Sequence, residues 1–206
     1  MAAQPLRIVG LGGSLASVSK SRSALATALE GAADASAKTT LLDLHELDLP
    51  LFSPEAEPST AVLRMVEKLE GADGLLWSSP LYQGSISGSF KNALDWLHLP
   101  SGTVYLADKV IGLIAVAGGT QGLQAINTME FSVRALRGWA VPFVVPVSSA
   151  SRLFDEEGRL EDEAVERQLK MLGSEVVRVA DHFRVEEAPD HAEVCLKARE
   201  RVVAAA

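Results

Sequence analysis

Five short apolar runs alternate with longer stretches in which apolar residues return every third or fourth position. The runs cover residues 6–11, 39–44, 74–78, 110–116 and 141–147. They have the length of strands and few polar interruptions, the pattern of strands covered on both faces, as in a parallel sheet. Between them, helical spacing predicts helices over 19–33, 57–70, 89–97, 121–136 and 161–183. In the second of these the apolar stripe runs through Val62, Met65, Val66 and Leu69. Five strand–helix units in one short chain predict an α/β fold, a doubly wound five-stranded parallel sheet with helices on both faces. No repeat or linker interrupts residues 1–185, which read as one domain. Pro189 breaks the chain before a tail, residues 186–206, in which 192–203 is a last possible helix.

Composition narrows the classes. The 206 residues are 48% hydrophobic and 22% charged, as in soluble globular proteins. A formal net charge of -8, with no cluster of Lys and Arg, argues against a nucleic-acid partner. The single cysteine, Cys195, cannot form an internal disulfide. No apolar run approaches the roughly 20 residues of a membrane span, so no membrane partner is expected. The N-terminal residues lack a basic flank and an apolar leader core, which predicts a cytoplasmic protein.

The distribution of acids then changes the picture. After the first strand no acid occurs until Glu30, after the third none until Asp95, and after the fourth none until Glu130. The end of the second strand carries Asp43, Glu46 and Asp48. In open α/β sheets ligands sit beyond the carboxyl ends of the strands, where strand order reverses. With strand order 2-1-3-4-5 the three acid-free junctions lie side by side and form a crevice suited to an extended anion. The first junction, GGSLASVSKSRSAL, sets hydroxyls at Ser14, Ser17, Ser19, Ser21 and Ser23 around a helix start. The N–H groups and positive dipole end there attract phosphate. One serine, Ser19 or Ser21, is expected to cap the helix. Lys20 and Arg22 are expected to face solvent.

Other motifs fit less well. Ser19-Lys20-Ser21 lacks the glycine of a P-loop, and Leu15 stands where a dinucleotide fingerprint needs its third glycine, with Asp43 as the candidate ribose acid. Ile86 occupies the serine position of a nucleophile elbow. His45, His98, His182 and His191 have no metal-ligand spacing. Lys91 and Asp95 are one turn apart and predict a local pair.

Taken together, GGSLASVSKSRSAL, SSPLYQGSISGSFKNALDWL and AVAGGTQG resemble the NAD(P)H-dependent FMN reductase family of flavodoxin-like proteins, over roughly residues 6–147. The resemblance implies FMN held non-covalently at the carboxyl edge of the sheet, with NADPH or NADH as hydride donor. By position, Ser14, Ser19 and Ser21 would hold the FMN phosphate. Pro80, Leu81, Tyr82, Gln83 and Gly84 would wrap the flavin ring, with Tyr82 at its edge. Gly118, Gly119 and Thr120 would meet the pyrimidine end, and small residues at Ser85 and Gly119 would leave one face open. No ionisable catalytic side chain is implied. The sequence departs from many members at Ala16, where they carry Arg, and at Leu81, where they carry an acid. Electrons would pass to a small-molecule acceptor (a flavin, quinone, azo compound or metal oxyanion) or to a flavin-dependent monooxygenase. A homodimer or tetramer is implied, with an apolar face around Phe90, Trp96 and Leu97 as its seam. Trp77, Trp96 and Trp139 are assigned to core or subunit contact. Two alternatives stay open: a flavodoxin-type electron carrier without NAD(P)H activity of its own, and an α/β enzyme using no flavin.

Overall fold

The computed structural model describes residues 4–98 and 105–184. The elements run β1 (Arg7–Gly12), α1 (Lys20–Asp34), β2 (Lys38–Asp43), α2 (Leu44–Leu47), α3 (Thr60–Glu70), β3 (Gly74–Tyr82), β4 (Ser85–Ile86), α4 (Gly88–Asp95), β5 (Val110–Val116), α5 (Leu123–Ala135), β6 (Trp139–Ala140), β7 (Val145–Val147) and α6 (Glu163–Phe183). The main path of the sheet is β2-β1-β3-β5-β6; β4 pairs antiparallel with β3, and β7 pairs parallel with β5. With β6 and β7 taken as one interrupted strand and β4 as a hairpin arm, this is the expected parallel order 2-1-3-4-5.

Two departures from the expected strands have local causes. The third strand continues four residues past Ser78, because Ser79 and Pro80 still pair with Ala115 and Val116 and the chain then turns back as a hairpin. The fifth strand is broken. Val141 N still donates to Ile111 O at 3.0 Å, but Pro142 follows and has no N–H for the ladder. The short α2 was not expected; Asp43 caps it by accepting from His45 N.

Strand alternation divides the core into two layers. Val9, Leu11, Leu75, Trp77 and Leu113 face α3, α4 and α5; Ile8, Leu76 and Ile114 face α1 and α6. Helices α1 and α6 approach so closely that a Cβ at Gly31 would lie 2.1 Å from Lys170 O, and one at Gly173 1.9 Å from Ala28 O. Only glycine permits that contact.

The apolar face expected as a subunit seam is interior instead. Phe90, Trp96 and Leu97 are buried. Trp96 stacks edge-on against Phe52 at 5.1 Å, and its Nε1 donates to Pro50 O. Residues 50–52 cover the helix because Asn92 holds them: it accepts from Phe52 N and donates to Pro50 O. Trp77 is also core, whereas Trp139 is exposed and touches Phe183 with ring centroids 5.6 Å apart. Lys91 and Asp95 form the expected pair. The tail and its candidate helix, with His191 and Cys195, lie outside the described residues.

Candidate functional site

All three acid-free junctions meet at the carboxyl edge of adjacent strands β1, β3 and β5. The first begins where β1 presses on β3. A Cβ at Gly12 would lie 2.2 Å from Ser78 O, and Gly13, at φ +98, donates its N–H to that same carbonyl at 3.2 Å. The chain then arches through residues 15–18, all exposed, and enters α1 at the N-cap Ser19. Ser19 accepts from Arg22 N, which settles which serine caps.

Three of the five hydroxyls converge. Ser14 Oγ donates to Ser19 Oγ at 3.0 Å, and Ser19 Oγ lies 3.1 Å from Ser21 Oγ. The trio is 4%, 8% and 2% exposed. Ser17 and Ser23 stand apart from this cluster. The first turn of α1 has no acid. Its leading amides precede the helical ladder and carry the positive dipole end. The two nearby cations do not simply face solvent. Arg22 Nε pairs with Asp43 Oδ2 at 2.7 Å, and Lys20 Nζ donates to Ala150 O at 3.2 Å while lying 6.0 Å from the Phe154 ring centre. Asp43, the candidate ribose acid, is thus buried and spoken for.

The second junction is a tight hairpin. Leu81 pairs with Ile86 and Tyr82 with Ser85. Between them Gln83 and Gly84 take φ +48 and +81, the two positive values a two-residue hairpin turn of the I′ kind requires. Tyr82 projects into solvent, and Pro80 is buried at the root. Ser79 locks that root by donating to Pro80 O at 2.9 Å and accepting from Ser87 N at 3.0 Å. Ser78 Oγ donates to Ser21 O at 2.8 Å and so joins the hairpin strand to the hydroxyl cluster.

The third junction is braced from beneath and bare above. Ala117 N donates to Val147 O, Ala150 N to Ala117 O, and Ser149 N to Gly119 O, at 2.8, 3.0 and 2.9 Å. Ser148 Oγ reaches Thr120 O at 3.4 Å. Gly118, Gly119 and Thr120 are exposed, and a Cβ at either glycine would meet nothing within 4 Å. The glycines therefore leave space that packing does not require.

Sequence reasoning named the serine cluster, the hairpin and the open glycines of the three junctions and missed the braces, Ser78, Ser79 and residues 147–150. Ser78 and Ser79 stood in the motif, but a buried strand hid their hydroxyls. None of the twelve expected site residues carries a carboxylate, imidazole, amine or thiol. Among the described residues no three His, Cys, Asp or Glu side chains gather to hold a metal. The arrangement offers hydroxyls and a helix start for a phosphate at one end, and an open backbone shelf for a flat ring at the other.

A model of the family described as NADPH-dependent FMN reductase matches residues 6–151. The chain is 33% identical over 129 residues to the NADPH-dependent FMN reductase ArsH of Acidithiobacillus ferrooxidans, covering 62% of this chain and 54% of that one. It thus spans about half the length of that relative. It is 32% identical over 193 residues to the NAD(P)H:quinone oxidoreductase of Solanum tuberosum, covering 82% of this chain and 91% of the relative. Among solved structures, FerB of Paracoccus denitrificans, a flavoenzyme NAD(P)H:(acceptor) oxidoreductase, superposes with a TM-score of 0.71 at 22% identity, over 86% of this chain and 98% of that one. At that identity the likeness speaks to fold. No helix among the described residues is long and apolar enough to cross a membrane.

Proposed function

This chain belongs to the NADPH-dependent FMN reductase family, and on that premise we propose that it binds FMN at the carboxyl edge of its sheet and oxidises NAD(P)H for a small-molecule acceptor. The observation that carries the reading is the meeting of the buried Ser14–Ser19–Ser21 cluster with the open Gly118–Gly119 shelf on one sheet edge. The residues present fit FMN: hydroxyls and helix amides suit its phosphate, and the void above the two glycines suits its ring. Bound FMN supplies a redox centre that takes a hydride equivalent from NAD(P)H and passes electrons on.

The protein's part is placement. Ser14, Ser19 and Ser21, now bonded to one another, would turn to donate to phosphate oxygens. The Pro80–Ser85 hairpin, including Leu81, Tyr82, Gln83 and Gly84, would flank the ring, and Gly118, Gly119 and Thr120 would offer it backbone donors. No side chain has to move a proton, because a hydride donor needs stacking at roughly 3 to 3.5 Å more than acid–base help. A carboxylate beside the ring would oppose negative charge arriving there, which is the physical reason for the acid-free junctions.

Residues 1–185 form the flavin-binding unit in this reading. The acceptor is a flavin, a quinone like that named for the potato relative, or a flavin-dependent monooxygenase that consumes reduced flavin. The chain works in the cytoplasm, where NAD(P)H is found, as a homodimer or tetramer. Support for an oligomer now comes from α5, where Leu123 and Phe131 project from the helix at 56% and 71% exposure. The deciding experiment measures flavin content of the purified protein and screens NADPH and NADH against FMN, quinones and ferric or chromate acceptors. Flavin binding with NAD(P)H oxidation is expected; a protein that binds no flavin and oxidises neither nucleotide refutes the reading.

A further inference from the structure

We propose that Asp43 is a positioning residue that pre-forms the hydroxyl loop for the FMN phosphate; the inference rests on the reading above. An acid beside an anion site is at first sight a defect. Asp43 is only 4% exposed, and both of its oxygens are used. Oδ2 accepts from Arg22 Nε at 2.7 Å, in the first turn of α1. Oδ1 accepts from His45 N at 3.0 Å. His45 in turn donates Nδ1–H to Leu15 O at 3.1 Å.

These three bonds reach both sides of the loop. Arg22 lies just after it and Leu15 within it. Gly13, at its start, comes so near that a Cβ there would be 3.0 Å from Asp43 Oδ1. Among the described residues, the His45 bond is the one hydrogen bond tying the exposed arch, residues 15–18, to the protein outside the loop and its own serines. Packing adds to it: Val18 lies over Gly158, where a Cβ would fall 2.8 Å from Val18 Cγ1, and Leu15 lines an apolar hollow with Leu44, Leu49 and Leu51. One buried carboxylate at the end of β2 thus fixes the arch through His45 and the helix start through Arg22. Parallel pairing places it there, with Gly12 opposite Asp43 in register. Arg22 neutralises its charge, so the clamp presents no net charge to an incoming phosphate.

Geometry and electrostatics predict opposite signs, which makes the test sharp. If Asp43 were only a negative charge near an anion site, Asp43→Asn would tighten FMN binding. As a clamp, its loss lowers the fraction of loops ready to bind, and apparent affinity falls by that fraction. Dissociation constants for FMN and riboflavin are read by flavin fluorescence quenching in wild type, Asp43→Asn and His45→Ala. His45 is at the surface, so its variant keeps the Asp43–Arg22 pair and the fold. We expect FMN to weaken about tenfold in Asp43→Asn and several-fold in His45→Ala, with riboflavin within about twofold of wild type in both. Exchange of the Ala16 amide, which donates to Ser14 Oγ at 3.3 Å within the loop, is expected to accelerate in both variants when measured without flavin. Unchanged or tighter FMN binding, in a protein that still prefers FMN to riboflavin, overturns the clamp. A wild type that binds FMN and riboflavin equally refutes the phosphate reading instead. In that case the exchange rates decide the clamp, and wild-type protection of the loop in Asp43→Asn overturns it.

Discussion

Replacing Ser14, Ser19 and Ser21 together by alanine removes every buried hydroxyl of the cluster while leaving the backbone amides of α1 in place. The structure sets the size of the effect. In the free protein the three hydroxyls are joined by two mutual hydrogen bonds, at 3.0 and 3.1 Å. In the proposed reading, FMN binding exchanges those neutral bonds for bonds to a phosphate dianion. A charge-assisted bond contributes about 1.5 to 3 kcal/mol net, and a neutral one about 1. Three bonds gained less two lost leaves roughly 2.5 to 7 kcal/mol, and the lower end corresponds to a loss of FMN affinity approaching a hundredfold. Riboflavin shares the ring but lacks the phosphate, so its affinity is expected to hold within about twofold. Loss of the Ser19 cap costs about 1 kcal/mol of stability, which lowers the melting temperature without discriminating between the two flavins. The assay is parallel titration of FMN and riboflavin by fluorescence quenching. If FMN affinity survives the triple change within about twofold, or riboflavin weakens as much as FMN, the serines do not hold a phosphate.

Gly119→Leu is expected to fold normally, since a Cβ there meets nothing, yet to weaken FMN more than about tenfold by filling the shelf; unimpaired FMN binding places the ring elsewhere. Lys109 gives a pH signature at the opposite edge of the sheet. Its Nζ donates to Glu70 O and Ala72 O, both at 2.7 Å, and burial pushes its pKa below the ordinary 10.5, against the smaller upward pull of Asp73. The unfolded chain then binds more protons than the folded one between the folded value and 10.5, so stability rises with pH across that window. Urea melts at about pH 8 and about pH 10 are expected to show wild type gaining on Lys109→Met, and a gap that shrinks with rising pH contradicts the assignment. Phe131→Glu is expected to shift a dimer or tetramer toward monomer by light scattering; a wild type that is already monomeric at micromolar concentration removes the basis for an oligomer.

Much of the fold was legible because its strands are covered on both faces. A run such as 110–116 can be little else, and five such runs with helices between them leave few topologies. The serine cluster was legible because hydroxyls crowd a helix start, where one cap would suffice. What escaped is whatever depends on register or on irregular chain. Asp43 read as a ribose acid since its partner, Arg22, is 21 residues earlier, and only the pairing of β1 with β2 brings them within 2.7 Å. Phe90, Trp96 and Leu97 read as a seam since α4 is short and richly apolar. The segment that covers Trp96, around Pro50 and Phe52, has no period to announce that it packs.

The same division explains why the candidate site looks empty of chemistry. A ring held by backbone donors needs a shelf that does not move and carries no side chain toward the ligand. Those demands fall on different residues here. Gly118 and Gly119 keep the upper surface clear, while Val147, Ser148, Ser149 and Ala150 hold it from below by hydrogen bonds that never touch the ligand space. Ser79 fixes the hairpin root in the same indirect way, and Ser78 couples it to the first turn of α1. Pre-organisation of this kind lowers the cost of ordering when a ligand arrives. It also means that damaging substitutions need not lie on the ligand-facing surface. Ser78→Ala deletes one buried bond to Ser21 O and leaves every ligand-facing group in place. It loosens two junctions against each other, so FMN, proposed to span both, is expected to weaken more than a fragment such as inorganic phosphate, which would need only one.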